Sequence, residues 1–495
     1  MSTAESEQHH AALFEKRLFA GGRSLLASQA IRLGLRVAST VMLARMLNPT
    51  DYGIFGMAVV VYGLFYAIRD VGLSTVTVSR HAVTDDEVSA LFWINVAVGA
   101  ILTALFCGLG PAFAAIDSEP RLKAMFPALG ACYFINALGA QPQAILSREM
   151  RFVTLSAIEV ASMAGGLAVA LGAAWAGAGY WALVCMVISA EVVRLAGLWW
   201  ACPWRPGPWP GWTGLRELLG LGARLTGFNT LNYLAGTTDQ FLVGAWMGST
   251  PLGLYGRASQ FTSLPAQYLM TPLNSWMVAA LSRLKVDPER YASLNRQVMN
   301  AVAQVVFPLA TGLIAAPAPI ITFALGAKWA GASGALRWLA VGLLAQPLLF
   351  AQNWLMMSQG HGGRLCALAT ANLAVLLALC AAMRAHGIEG IACATAFAAI
   401  AVSLPGIYWA TRQSPVALGG AAGALRRPFL LAIAFGAALG GALRALGTAS
   451  NGHTLIALLD AIAVWASLAF AWRTARHEWL EAVRAFGMAS GKLSA

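Results

Sequence analysis

Two arginines one helical turn apart, Arg32 and Arg36, fall in the middle of the first long apolar run of the chain. With Gln29 and Thr40 they recur at i, i+3, i+7 and i+11, so a helix sets all four on one face. A guanidinium at mid-bilayer depth costs about 2.5–3.5 kcal/mol on insertion scales. Its planar fork grips phosphate oxygens, an interaction able to offset that cost. The functional reading is a cationic cavity that receives an anionic headgroup. The alternative is that the two side chains snorkel, or pair internally with Asp70, Glu159 or Asp239. Arg257 lies about one turn into the eighth apolar run, with Gln260 and Gln267 on the same face. It is either a second clamp on the same anion or an interfacial anchor. Five acids sit at or within apolar runs: Asp70, Glu159, Glu191, Asp239 and Asp460. A carboxylate there can load and release a proton. Asp239 is the first candidate for ion coupling because it borders a second polar stripe, and Glu159 and Asp70 are the others. Glu191 is followed at i+3 by Arg194, which favours a local ion pair.

The elements that must position these groups follow from composition. Of 495 residues, 58% are apolar and 11% charged, with a mean hydropathy of +0.66. A water-facing domain carries about 25% charged residues, so a soluble multidomain enzyme is excluded. About fourteen spans of roughly 20 residues use on the order of 280 residues. The expectation is an all-α polytopic membrane protein with about 14 transmembrane helices. We place spans at 23–46, 52–69, 88–110, 122–144, 154–175, 180–201, 218–247, 252–280, 298–316, 334–358, 365–383, 388–411, 428–446 and 454–472. Pro127, Pro142, Pro265, Pro308, Pro347 and Pro405 fall inside spans and predict kinks or unwinding. Of the 33 Lys and Arg residues, about 22 fall in segments that an inside N-terminus assigns to the cytoplasm, and about 7 fall outside. This bias predicts that both termini are cytoplasmic. The lead-in, 1–22, has no signal-peptide pattern.

The stretch PWRPGPWPGW at 203–212 breaks helices. It divides an N-lobe (23–201) from a C-lobe (218–411) as a cytoplasmic linker (202–217). Extra helices (412–472) and a cytoplasmic tail (473–495) follow. Across that linker the chain repeats at an offset of 200: ARMLNPTDYGIFGMA (44–58) lies over GAWMGSTPLGLYGRA (244–258). Thr50/Thr250, Gly53/Gly253, Gly56/Gly256 and Ala58/Ala258 are identical, and Phe55/Tyr255 is similar. The stripe Gln29, Arg32, Arg36, Thr40 corresponds to Asn229, Asn232, Gly236, Gln240, with Asp239 beside it. Matched polar stripes in two halves suggest a pseudo-symmetric transporter.

Other chemistries lack their residues. The charge of +12 is explained by basic cytoplasmic loops, so no nucleic acid is expected. The seven cysteines lie in or beside apolar runs without metal spacing, and read as reduced packing residues. The seven histidines show no HExxH pattern, and GxxxxGK[ST] is absent. No catalytic residue, metal site or cofactor is expected, beyond coupling to protons or sodium.

The segment LARMLNPTDYGIFGMAVVV (43–61) resembles the opening of Wzx-type polysaccharide flippases, within the multidrug/oligosaccharidyl-lipid/polysaccharide exporter superfamily. RDVGLS (69–74), LFWINVAVG (91–99), SREMRF (147–152), GYWALV (179–184) and DQFLVGAWMGSTPLGLYGRASQF (239–261) extend the likeness over about the first 300 residues. The subgroup it resembles exports exopolysaccharides such as colanic acid, succinoglycan or xanthan. Met46 replaces a leucine of the LARLL form, a conservative change. The resemblance implies two six-helix lobes facing a central cavity, with extra C-terminal helices. It implies alternating access that moves undecaprenyl-diphosphate-linked oligosaccharide to the outer leaflet of the bacterial inner membrane, for exopolysaccharide or lipopolysaccharide biosynthesis. Asp239 and Arg257 fall on its motif positions, whereas Arg32 and Arg36 rest on periodicity. Expected partners are the lipid-linked oligosaccharide, the bilayer, and a polysaccharide polymerase with its export machinery. A monomer is expected. Gln29, Arg32, Arg36, Asn232 and Arg257 form the candidate substrate-binding set. Three rivals share parts of this pattern. A cation or drug antiporter needs an acidic, aromatic cavity where this first stripe is arginine. A polymerase or ligase needs a polar outside loop where 317–333 offers only Lys328. A flippase for lipid II or another polyprenyl diphosphate differs only in cargo.

Overall fold

Long runs of Ala, Leu, Val and Ile can satisfy their backbone groups in an apolar medium only by bonding within the segment, which makes them helices. The computed structural model describes residues 31–69, 84–117, 119–209, 233–265, 271–412 and 414–446, together with Gln29 and Thr230. Among these every regular element is helical. Asp70, Asn232, the span 454–472 and the segments 1–22 and 473–495 lie outside the described residues, as do Gln267 and Asp460. Eight helical stretches among the described residues are long and apolar enough to cross a membrane, or nine if one bent pair is a single span. This is a polytopic membrane architecture.

The chain forms two compact units. The first comprises residues up to Thr237 plus Gly248–Gly253. It contains α1 (31–46), α2 (Pro49–Ile68), α3 (Asp85–Ile116), α4 (Leu122–Arg148), α5 (Phe152–Trp175) and α6 (Trp181–Ala201). α3 opens with a capping box in which Thr84 and Glu87 satisfy each other's backbone amides. α3 packs along α4, and α5 along α6. Phe106 of α3 stacks on Phe126 of α4 with centroids 4.5 Å apart, and the Tyr133 hydroxyl donates to the Tyr62 carbonyl at 2.7 Å. The described part of the Pro-rich stretch is non-helical, as its sequence predicts. It is strapped to α3, with Trp93 Nε1 donating to the Gly207 carbonyl at 2.9 Å and the Gly207 amide donating to Ser89 Oγ at 3.0 Å.

The second unit comprises Thr238–Met247 and residues from Leu254 onward. Its helices include most of α7 (233–247) and α8 (Ser249–Pro265), then α9 (Thr271–Arg283), α10 (Pro288–Ala315), α11 (Pro317–Leu325), α12 (Ser333–Leu343), α13 (Gln346–Ser358), α14 (Gly362–Met383), α15 (Gly387–Thr411) and α16 (Leu418–Leu446). The expected span 334–358 is broken: 327–343 and 346–358 meet at 41°, with Pro347 opening α13. α8 ends at Pro265. Pro127, Pro142, Pro308 and Pro405 instead lie inside continuous helices, so the chain does not unwind there. The stretch 362–411 turns at Gly387, whose φ is +65°, and α14 packs along α15 as a hairpin. α10 and α16 start ten residues earlier than the expected spans, in charged segments that hydropathy assigns to loops.

Candidate functional site

α1 carries the first polar stripe. Gln29 and Arg32 are half-buried, Arg36 is exposed and Thr40 is buried. Arg32 Nη1 pairs with Glu159 Oε2 of α5. This places two of the expected groups together and realises one of the internal pairings weighed for Arg32. The Arg32 side chain is 13% exposed and that of Glu159 is 52% exposed, so the guanidinium is shielded while the carboxylate is not. Arg32 Nε is buried without a hydrogen-bond partner. One turn on, Arg36 forms no ion pair among the described residues. Its carbonyl accepts from Thr40 Oγ1 at 2.8 Å and from Ser39 Oγ at 2.9 Å, bonds that fix the backbone beneath it. The stripe thus offers one neutralised arginine and one whose charge remains available.

Glu191 and Arg194 of α6 form the predicted i,i+3 pair, with Arg194 Nε donating to Glu191 Oε2 at 3.1 Å. The pair is completed by two amides of α4 that spacing did not reveal. Asn136 Nδ2 donates to Glu191 Oε2 at 3.1 Å, and Arg194 Nη1 donates to Gln143 Oε1 at 3.0 Å. This is a satisfied network, which holds α6 to α4.

In the second unit Asp239 is buried, with 7% exposure. The Tyr255 hydroxyl donates to Asp239 Oδ2 at 2.6 Å, and the Gln240 amide donates to Oδ1 at 2.8 Å. Among the described residues no cation pairs with it. Tyr255 is in turn 3.3 Å from Thr395 Oγ1, whose hydroxyl donates to the Ile391 carbonyl at 2.9 Å. A carboxylate held by neutral donors can take up a cation or proton without first breaking an ion pair. Tyr255 and Thr395 were not among the expected residues. The sequence did carry a signal for the first: Phe55 and Tyr255 occupy the same repeat position and differ by the hydroxyl that meets Asp239. Arg257 and Gln260 of α8 are half-buried.

The repeat itself has a physical role within the first unit. Thr50 Oγ1 and Thr250 Oγ1 lie 2.8 Å apart. A side chain at Gly53 would run into the carbonyl of Ser249, and one at Gly253 into that of Pro49. Each glycine therefore admits the backbone that precedes the other's helix turn.

A helical membrane scaffold with an arginine left without an ion pair among the described residues, and a buried carboxylate held by neutral donors, suits a polytopic transporter. The fold is similar to that of "Lipid II flippase MurJ, inward closed conformation", with a TM-score of 0.70 at 13% identity, covering 92% of this chain and 99% of that one. The chain belongs to the polysaccharide biosynthesis protein family, whose model matches residues 42–334. It is 23% identical over 332 residues to the lipopolysaccharide biosynthesis protein WzxC of Escherichia coli (strain K12), covering 66% of this chain and 68% of WzxC. It is 22% identical over 312 residues to the succinoglycan biosynthesis transport protein ExoT of Rhizobium meliloti (strain 1021), covering 63% of this chain and 62% of ExoT. The sequence resemblance to Wzx-type flippases and to the succinoglycan subgroup agrees with these relatives.

Proposed function

We propose that the chain is a flippase, not an enzyme, and that it moves undecaprenyl-diphosphate-linked oligosaccharide repeat units from the inner to the outer leaflet of the bacterial inner membrane. The cargo feeds exopolysaccharide or lipopolysaccharide synthesis. The observation that carries this reading is Arg36, exposed and without an ion pair among the described residues, one turn from Arg32 on the same helix. A doubly charged diphosphate suits a guanidinium that has no carboxylate to displace. In this reading Arg36 holds the diphosphate, Arg32 and Gln29 shape the same face, and Arg257 and Asn232 remain candidate substrate-binding residues. Alternating access then exposes the bound headgroup to one leaflet and next to the other. Asp239 provides coupling: protonation or sodium binding shifts the equilibrium between states in proportion to its differential affinity for them. Glu159 serves as the counter-ion of Arg32 when cargo is absent, and Asp70 remains a second coupling candidate. The reading includes fourteen spans, both termini in the cytoplasm, and a monomer that passes cargo to a polymerase and export machinery.

An Arg32→Ala/Arg36→Ala double variant tests the proposal in cells that depend on this chain for polymer export. The expected result is normal insertion with polymer output reduced on the order of 100-fold, as befits loss of charge-assisted bonds to a diphosphate. Wild-type output from normally inserted protein would exclude the anion grip. The antiporter reading predicts drug resistance on overexpression instead.

A further inference from the structure

The N-terminal parts of α10 and α16, including the segments that outrun their expected spans, line an open cavity of about 730 Å³ within the second unit. Its polar lining is Ser293, Arg296, Gln297, Asn300, Arg426 and Arg427, with no acidic side chain. Among the described residues Arg296 and Arg426 form no ion pair. The two helices run in the same direction, since Asn300 meets Ala424, Phe307 meets Phe429 and Gly312 faces Phe435. Both N-terminal ends therefore lie at the same level, the one that the Lys and Arg count assigns to the cytoplasm.

The cavity is built rather than incidental. Pro428 has no amide proton, so the carbonyl of Ala424 lacks its usual donor within α16. Asn300 Nδ2 supplies that bond at 2.9 Å, and Gln304 Nε2 in turn donates to Asn300 Oδ1 at 2.7 Å. This cross-brace pins the floor. Gly420 lets the Arg296 stem pass over α16, because a Cβ there would lie 3.3 Å from Arg296 Cδ. Immediately beyond the arginines, Phe429, Leu430 and Ile433 are 41%, 51% and 48% exposed, and Leu430 also lines the cavity. Cations facing a cavity, followed within one turn by exposed apolar side chains, match a molecule with a charged head and an acyl or prenyl tail.

We propose that this cavity binds the phosphate headgroup of a lipid in that leaflet, with the tail laid along Leu430 and Ile433. The site shares no residue with the Arg32/Arg36 stripe, and its occupancy does not depend on the flippase reading. The lipid is a glycerophospholipid or a polyprenyl phosphate, which share the recognised group. Native mass spectrometry on the purified, delipidated full chain tests it, with tetraoleoyl cardiolipin, undecaprenyl phosphate and inorganic phosphate as separate probes. An Arg296→Gln/Arg426→Gln/Arg427→Gln variant should bind the preferred lipid on the order of 10–100-fold more weakly. Gly423→Trp should do the same by filling the cavity with the arginines intact, since a Cβ there meets no atom within 4 Å. Whichever lipid loses binding in both variants is the source. Unchanged lipid binding in either folded variant, or complete displacement of the lipid by inorganic phosphate, would overturn the assignment. Transport is not part of the readout, so failure here leaves the Arg36 proposal standing.

Discussion

Residues 32–58 and 232–258 are two copies of one segment, and what they share differs in kind from what separates them. Shared Thr50/Thr250 and Gly53/Gly253 make a reciprocal contact in which each copy supplies a hydroxyl, a glycine and a carbonyl. The differences are where charge sits. Arg36 stands opposite Gly236, Ser39 opposite Asp239 and Phe55 opposite Tyr255. The first copy therefore presents a cation, and the second a buried carboxylate with a hydroxyl partner. The two copies share their packing and differ in charge, the difference on which the proposed division between anion grip and ion coupling rests.

The strongest way to break this comparison is to attack the shared part. Gly53→Ala or Gly253→Ala forces a methyl group into a backbone carbonyl, which costs about 1–3 kcal/mol or more. Both variants should lose folded protein to a similar degree in a detergent thermal-stability assay. If only one does, the reciprocity of the contact is wrong. Next in size is the carboxylate. Asp239→Asn should reduce gradient-driven transport on the order of tenfold and leave the ungradiented rate within a few-fold. Its partner sharpens the point through a double-mutant cycle. Tyr255→Phe removes a hydrogen bond to a charged group, about 1.5–3 kcal/mol, and should cost only about 0.5–1.5 kcal/mol once Asp239 is Asn. Equal costs in both backgrounds would mean that Asp239 is neutral throughout. The smallest effect belongs to Glu159→Gln. Because the Glu159 side chain is 52% exposed, loss of its pair with Arg32 should cost no more than about 1 kcal/mol in thermal unfolding. A larger loss would make the pair structural, and Arg32 unable to turn toward cargo.

Much of the scaffold was legible in the sequence because lipid imposes a simple length and polarity rule on helices. The span expected at 122–144 is α4, and those at 154–175 and 180–201 are α5 and α6, within a few residues. The rule fails where charged residues dilute the hydropathy of a helical segment. Arg290, Arg296, Arg426 and Arg427 lower the hydropathy of 288–297 and 418–427 and hide two helical extensions, although charge does not oppose a helix in water. Pro347 announced the break before α13, whereas Pro308 and Pro405 left no gap. In the site, periodicity put Arg32 and Arg36 on one face, but only tertiary structure could separate them into a paired and an available arginine. Thr395 lies 140 residues from its Tyr255 partner, a distance at which local patterning carries no signal. The arginine pocket of α10 and α16 escaped for the same reason.

The most direct test is transport of labelled lipid-linked oligosaccharide by proteoliposomes containing wild-type, Arg36→Lys or Arg36→Ala protein. The account predicts that Arg36→Ala is slower by on the order of tenfold or more, and that Arg36→Lys retains an intermediate rate, because charge survives while the two-pronged grip does not. A rate for Arg36→Ala equal to wild type, at equal reconstitution, would contradict it.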